Sequence, residues 1–241
     1  MDENAASVPG NSRAEPTQVR RMFDAISPRY DLMNTVMTGG LHHRWRRLAA
    51  RATLPRPGLL ALDVGCGTGD MALALRAAGA RAVVGVDIAP AMLRHALRKL
   101  DARGETGVTL LLGDALRLPF RDGTFDATAT AFTLRNTADV HAALAEMRRV
   151  VRPGGRVVVL EGAETGGGPA GRAARLYLHR VVPLLGGIIA GAPRAYRYLP
   201  RSMSEFLAPD ALADVMRAVG LRGVRYRVLM LGTVTVHVAA V

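Results

Sequence analysis

Leu62-Asp63-Val64-Gly65-Cys66-Gly67-Thr68-Gly69-Asp70 decides how this chain folds. The apolar run Leu59–Val64 delivers the backbone into three glycines at alternate positions. Glycines spaced this way allow a sharp turn and a close approach to a ligand, beside the N-terminus of the helix that opens at Asp70. Further apolar runs at Ala82–Val86, Val108–Leu112, Phe125–Phe132 and Arg156–Leu160 read as buried strands. Between them Asp70–Ala78, Pro90–Asp101 and Thr137–Val150 read as helices, the last followed by a turn at Pro153-Gly154-Gly155. This alternation predicts an α/β fold, a mostly parallel sheet with helices on both faces. Residues 211–221 read as one more helix, and the alternating residues 224–240 as a terminal hairpin that brings the strands to seven.

Two segments fall outside the alternation. Residues 1–16 are polar and broken by Pro9, Gly10 and Pro16, which predicts a disordered tail ahead of a single domain over 17–241. Residues 17–56 form an N-terminal helical cap, interrupted at Pro28 and at Thr38-Gly39-Gly40. Residues 164–209 form a lid insertion over the substrate. Its uncharged run Val181–Pro193 is too short to span a bilayer and is interrupted by Pro183, Gly186 and Gly187.

With 241 residues, 49% hydrophobic and 22% charged, the composition is globular and excludes a disordered chain. The single cysteine, Cys66, cannot form an internal bridge. The first thirteen residues lack the basic and apolar regions of a secretory signal, so a cytoplasmic protein is expected. The net charge is +12, and of 32 basic residues all but Lys99 are arginine. A basic surface favours nucleic acid, an anionic membrane face or acidic ligands. Because the arginines are scattered, composition bias explains them as well as selection does.

A dinucleotide fingerprint would need glycine where this chain has Asp70. An acid before G-x-G-x-G instead resembles the class I S-adenosylmethionine-dependent methyltransferases, with their Rossmann-like fold. The chemistry suits that cofactor. Asp63 can bind its ammonium, and Gly65, Gly67 and Thr68 shape the loop. Asp87, 22 residues after Gly65, ends the second strand, where a carboxylate accepts from two ribose hydroxyls. Asp114 follows the third strand, where its side chain and the Ala115 amide can hold the adenine edge. Asp87 and Asp114 also suit helix N-caps, but three acids at successive strand ends favour the cofactor. Cys66 reads as a small residue that fits a tight loop.

Beyond that turn the chain resembles the menaquinone/ubiquinone-biosynthesis C-methyltransferases. The pattern runs through Tyr30-Asp31-Leu32-Met33-Asn34, Thr38 (where serine is usual), His42 and Trp45. It continues in Phe132-Thr133-Leu134-Arg135-Asn136, where glycine is usual at 133, and in Arg149–Gly155, closing on Glu161. Arg152 stands for lysine and Ala163 for serine, and the pattern ends on Tyr196–Ser202, Gly232 and His237. The resemblance implies cofactor contacts at Thr68, Asp87, Asp114 and Ala115, and puts Ala131 where a serine contact is common.

It further implies methyl transfer to a ring carbon of a reduced, prenylated naphthoquinone. Proton removal from the ring hydroxyl raises the carbon's nucleophilicity, and alignment supplies much of the rate. Arg135 can stabilise a developing phenolate, Asn136 can orient a hydroxyl or water, and His42 can act as base beside Tyr30 and Asp31. His42 and His43 are adjacent and point to different helix faces, so no metal is expected. The lid stretch Leu176–Ile189, flanked by Arg172, Arg175, Arg180 and Arg194, suits transient contact with a membrane surface. It also suits a buried helix pair or a homodimer contact. Alternatives are a polyprenyl benzoquinol, a soluble aromatic substrate, cofactor binding without catalysis, or RNA. The amino-methylating D/N-P-P-Y/F/W motif is absent after the fourth strand, so no nucleic-acid partner is expected.

Overall fold

The apolar runs become β1 (Leu60–Val64), β2 (Ala82–Asp87), β3 (Val108–Leu112), β4 (Phe125–Ala131) and β5 (Val151–Gly162), followed by β6 (Arg222–Leu229) and β7 (Val234–Ala240). In this computed structural model, which describes residues 16–162, 168–190 and 193–241, they form one sheet of order β3-β2-β1-β4-β5-β7-β6. The first five strands are parallel, and β7 inserts antiparallel between β5 and β6. The seven-stranded, mostly parallel sheet expected from the sequence is present. The connection leaves β3 at one edge and returns to the far side of β1, so the switch in strand order lies between β1 and β4. In open α/β sheets the crevice at such a switch, beyond the carboxyl ends of the strands, is where ligands bind.

Period-two alternation assigns the faces. Leu62, Val64, Val157 and Val159 pack with Leu144, Met147, Leu212 and Met216, from α6 (Val140–Arg149) and α10 (Pro209–Ala218). Their neighbours Ala61, Val158 and Leu160 face the other way, onto Trp45, Ala49, Met71 and Leu75. Those belong to α3 (Leu41–Thr53) and α4 (Asp70–Ala77). Each fully buried Val, Leu or Met contributes about 1.5–3 kcal/mol.

A third apolar cluster joins the cap to the lid. It packs Ile26, Met33, Met92, Val182 and Tyr196 together. They come from α1 (Pro16–Ile26), α2 (Tyr30–Thr38), α5 (Pro90–Asp101), α8 (Val182–Ala190) and α9 (Pro193–Ser204), with α7 (Gly168–Leu176) preceding α8 through a π-helical turn over Tyr177–Val181. Gly186 is required here, because any Cβ on it would overlap the Tyr196 ring where α8 meets α9.

Three boundaries differ from the sequence reading. Pro16, placed in the tail, is the first residue of α1, where its missing N–H costs nothing; residues 1–15 lie outside those described. The Pro153-Gly154-Gly155 stretch is part of β5, not a turn before it. The pairing jumps from Phe125–Val151 to Ala127–Arg156, a bulge that absorbs the proline and glycines. The helix expected from Thr137 begins at Val140, because Asp139 caps it by accepting the Ala142 N–H at 2.9 Å. Ala163 and residues 164–167 lie outside the described residues.

Candidate active site

A cleft opens at the switch between β1 and β4. Gly65, at φ +69°, starts the turn after β1 and donates its N–H to the Val86 carbonyl at 2.7 Å. A side chain there would be strained, and its Cβ would overlap Thr133. The cleft wall takes Gly65, Gly67, Asp87, Asp114, Ala115 and Ala131, and α1 covers it with Val19 and Phe23. Asp24 fixes that cover by accepting the Ala91 N–H at 3.0 Å.

Asp87 accepts the Gly67 N–H through Oδ2 and the Ala89 N–H through Oδ1, both at 2.8 Å. Each oxygen keeps a lone pair for a diol. Burial pushes its carboxyl up, against the pull of those amides. Asp114 accepts the Leu116 N–H at 2.9 Å through Oδ1. An N-cap role does not account for Asp87, since Ala89 occupies the cap position of α5.

Asp63 and Thr68 do not line the cleft itself. Asp63 is fully buried behind the turn, and among the described residues neither carboxylate oxygen has a hydrogen-bond partner. Burial pushes its carboxyl up to about 7, with Arg46 opposing. A buried, orphaned carboxylate at this turn fits a cationic ligand group, and S-adenosylmethionine carries an ammonium for it. Thr68 is buried too. Its hydroxyl donates to Asp31 Oδ1 at 2.6 Å and accepts from the Lys99 ammonium at 3.2 Å. Lys99 also meets Asp31 Oδ2 at 2.5 Å and Asp70 Oδ1 at 2.8 Å. Burial alone would raise the Asp70 carboxyl, but Arg46 and Lys99 hold it below the usual range.

A second cavity of about 240 Å³ lies under the lid. Met37, Trp45, Leu178, Val182, Leu199 and Met203 give it apolar walls, and its polar groups include Tyr30, Asn34, His42, Arg46 and Arg135. Tyr30 and Phe132 line both this chamber and the cleft. Phe132 holds φ +62°, a strained backbone for a non-glycine residue, at the junction. The guanidinium carbons of Arg46 and Arg135 lie 5.3 and 5.6 Å from its ring centroid.

Arg135 enters the chamber from the 3-10 turn Leu134–Asn136 and is ion-paired with buried Glu161. Successive residues of such a turn point about 120° apart. Asn136 therefore faces the cleft, with its amide donating to the Phe132 carbonyl at 3.1 Å, and does not face the chamber.

His42 lies on the chamber wall, but its ring is committed. Nδ1 accepts from Arg46 Nη1 at 2.6 Å, and Nε2 lies 3.3 Å from the Thr35 hydroxyl. Burial, with Arg46 and His43 adding, lowers its pKa to about 4. It is neutral near pH 7 with no free lone pair, which corrects its assignment as the base. The expectation that His42 and His43 diverge is also corrected, because their rings lie 3.9 Å apart. With Asp70 they offer ligand atoms within 4.8 Å of one another, although the guanidinium of Arg46 occupies His42 Nδ1.

Arg46 and Lys99 were not singled out as site residues by the sequence. Arg46 sits one turn after His42 on the same helix face, a spacing that pairs side chains. Lys99 stood out only as the sole lysine.

The model of the ubiE/COQ5 methyltransferase family matches residues 11–241. The demethylmenaquinone methyltransferase of Thermus thermophilus is 50% identical over 219 residues, covering 90% of this chain and 98% of that protein. The ubiquinone/menaquinone biosynthesis C-methyltransferase UbiE of Desulfotalea psychrophila is 41% identical, covering 91% and 88%. Solved structures share the fold at lower identity. The 4+2 cyclase SpnF gives a TM-score of 0.68 at 23% identity, covering 93% of this chain and 79% of that chain. A SAM-dependent methyltransferase from Aquifex aeolicus gives 0.56 at 17%, covering 95% and 100%. The glycine turn, the strand-end acids and the apolar chamber beside them all lie within the matched span, and the chain belongs to the ubiE/COQ5 methyltransferase family.

Proposed function

We propose that this S-adenosylmethionine-dependent C-methyltransferase methylates the ring of a reduced, prenylated naphthoquinone, converting demethylmenaquinol to menaquinol. One observation carries the reading: the cleft that holds the glycine turn and the strand-end acids Asp87 and Asp114 shares the two walls Tyr30 and Phe132 with an apolar chamber. A methyl group crossing there passes from a polar cofactor to an apolar ring without meeting solvent. Bound in the cleft, the cofactor supplies an electrophilic sulfonium methyl. Asp63 takes its ammonium, Asp87 its ribose diol, and Asp114 with the Ala115 amide its adenine. Gly65 and Gly67 let the backbone come close, while Thr68 holds the loop through Asp31 and Lys99. In the chamber Tyr30 and Arg135 flank the reacting carbon, and Asn136 keeps the Phe132 backbone in place. His42 positions Arg46.

The prenyl tail needs a way out. Leu231 lines the chamber yet is 61% exposed, which marks the mouth. Around it α7 packs on the turn bearing Leu231, and α8 packs on α2. These helices expose Leu176, Leu184, Ile188 and Leu32, with Ile188 at 73%. Among the described residues no helix is long and apolar enough to cross a membrane. We read this face as one that rests on the cytoplasmic surface of an anionic bilayer, with Arg172 and Arg180 exposed nearby. A second copy of the chain would compete for it.

A labelled-methyl assay tests both statements. Demethylmenaquinol, its benzoquinol counterpart and structured RNA are offered in parallel, the quinols in anionic vesicles. Label is expected in the naphthoquinol ring; label in RNA alone refutes the function. Leu184→Asp with Ile188→Asp should abolish co-sedimentation with vesicles, and unchanged sedimentation refutes the membrane face.

A further inference from the structure

One turn at the chamber holds apolar side chains where backbone and solvent both oppose them. The β6–β7 hairpin is last paired at Leu229 and Val234, and residues 230–233 close it. Met230 and Leu231 hold φ +46° and +54°, two consecutive non-glycine residues in the left-handed region. A side chain there crowds the following carbonyl, so hairpin loops with positive φ ordinarily take glycine, asparagine or aspartate. Thr233 keeps the turn in this form, donating its N–H at 3.0 Å and its hydroxyl at 2.8 Å to the Met230 carbonyl.

Solvent opposes the pair as well. Met230 is 44% exposed and Leu231 61%. Among the described residues that line the chamber, only these two are exposed, the others being buried or half-buried. Neither belongs to the three apolar clusters that hold the fold together. A strained, exposed apolar pair with no part in the core is a mark of function. The exposed Leu32, Leu176, Leu184 and Ile188 of the neighbouring face do not line the chamber, so its rim is what sets Met230 and Leu231 apart. The chamber's volume of about 240 Å³ falls below the ~300–1,000 Å³ of pockets that enclose a drug-sized ligand, so it takes a bicyclic ring and leaves a polyprenyl chain outside. That chain must cross the exposed rim.

We propose that Met230 and Leu231 grip the prenyl chain where it leaves the chamber and make the enzyme select tailed rings over bare ones. The inference rests on the substrate reading above and deepens it. Covering both side chains with an apolar chain removes from water a surface that the free protein exposes, which favours the complex. The strain is already carried in the free protein, so it adds nothing to the cost of binding, and the turn meets the tail preorganised. A ring without a tail gains none of this.

The test reads binding and needs no turnover. Trp45, the only tryptophan of the chain, lines the chamber, and a bound quinone quenches its fluorescence. The probes are oxidised 1,4-naphthoquinones that bear no tail or a tail of one, two or three prenyl units, titrated onto the full chain in detergent-free buffer. Wild-type affinity should rise about tenfold or more from the bare ring to the three-unit tail. Asparagine tolerates positive φ, so Leu231→Asn, alone or with Met230→Asn, keeps the turn and loses the apolar surface. The gain from the same tail should then fall below about threefold, with affinity for the bare ring unchanged. A wild type that binds bare and tailed rings equally overturns the proposal and leaves the ring site standing, whether or not the variants fold. Variants that keep the full gain overturn it too, and if they no longer co-sediment with anionic vesicles the turn is a bilayer anchor instead. Equal losses for bare and tailed rings make the turn a wall of the ring site, which is a third refutation. Failure of the wild type to bind any of the probes sinks the substrate reading and the proposal with it.

Discussion

The cofactor cleft and the substrate chamber touch at Tyr30 and Phe132, yet they are made of different material. The cleft is organised by backbone groups. Its shape comes from the glycine turn, and its acids are fixed by amide N–H groups at 2.8–2.9 Å. The chamber is assembled from side chains delivered by α2, α3, the lid and the β6–β7 turn. A backbone-built site tolerates side-chain exchange around it and fails when the chain cannot bend. A side-chain site fails when one buried charge loses its partner.

Glu161→Gln should therefore be the most damaging change, and it strikes the chamber. It strands the buried guanidinium of Arg135, which costs about 3–5 kcal/mol of stability. Denaturant melts should show that loss, while cofactor affinity in the folded fraction stays near the wild-type value. A variant that melts normally would mean the pair is not a closed unit.

Gly65→Ala strikes the cleft. Its Cβ would overlap Thr133, so cofactor affinity should fall by about a hundredfold, some 2.7 kcal/mol. Adding Thr133→Gly removes the overlap but not the positive φ, and should restore only part of the affinity. Calorimetry that finds no rescue would place the whole effect in backbone strain.

Asp63→Asn has a smaller and two-signed effect. Its folded pKa of about 7 lies above the ordinary 3.8, so the fold holds that proton more tightly than the unfolded chain does. The wild type therefore carries no penalty from this group below pH 3.8, and a full one above about 7. The variant should melt higher than the wild type at pH 8 and match it at pH 4. Its affinity for S-adenosylmethionine should drop about tenfold, or 1.4 kcal/mol, and should no longer rise with pH through 7. Equal melting at both pH values would show that Asp63 is solvated.

The same contrast explains what the sequence disclosed. Strands of four to eight apolar residues, the glycine turn and acids at strand ends are local signals, so the sheet and the positions of Asp87 and Asp114 were readable directly. The chamber is not local. The one-turn spacing within Leu41–Thr53 allows His42 and Arg46 to pair, but it does not say that both are buried against the chamber, which depends on segments far away in sequence. The direction of Asn136 was lost for the same reason: the 3-10 turn that separates it from Arg135 depends on where Phe132 turns its backbone. The bulge in β5 was hidden because Pro-Gly-Gly also reads as a turn.

Lys99 adds a different kind of information. Of the 32 basic residues of this chain 31 are arginine, and Lys99 is the single lysine. Its ammonium meets three oxygens, on Asp31, Asp70 and Thr68. A flat guanidinium cannot converge on three acceptors around one nitrogen. At this position the shape of the cation matters as well as its charge.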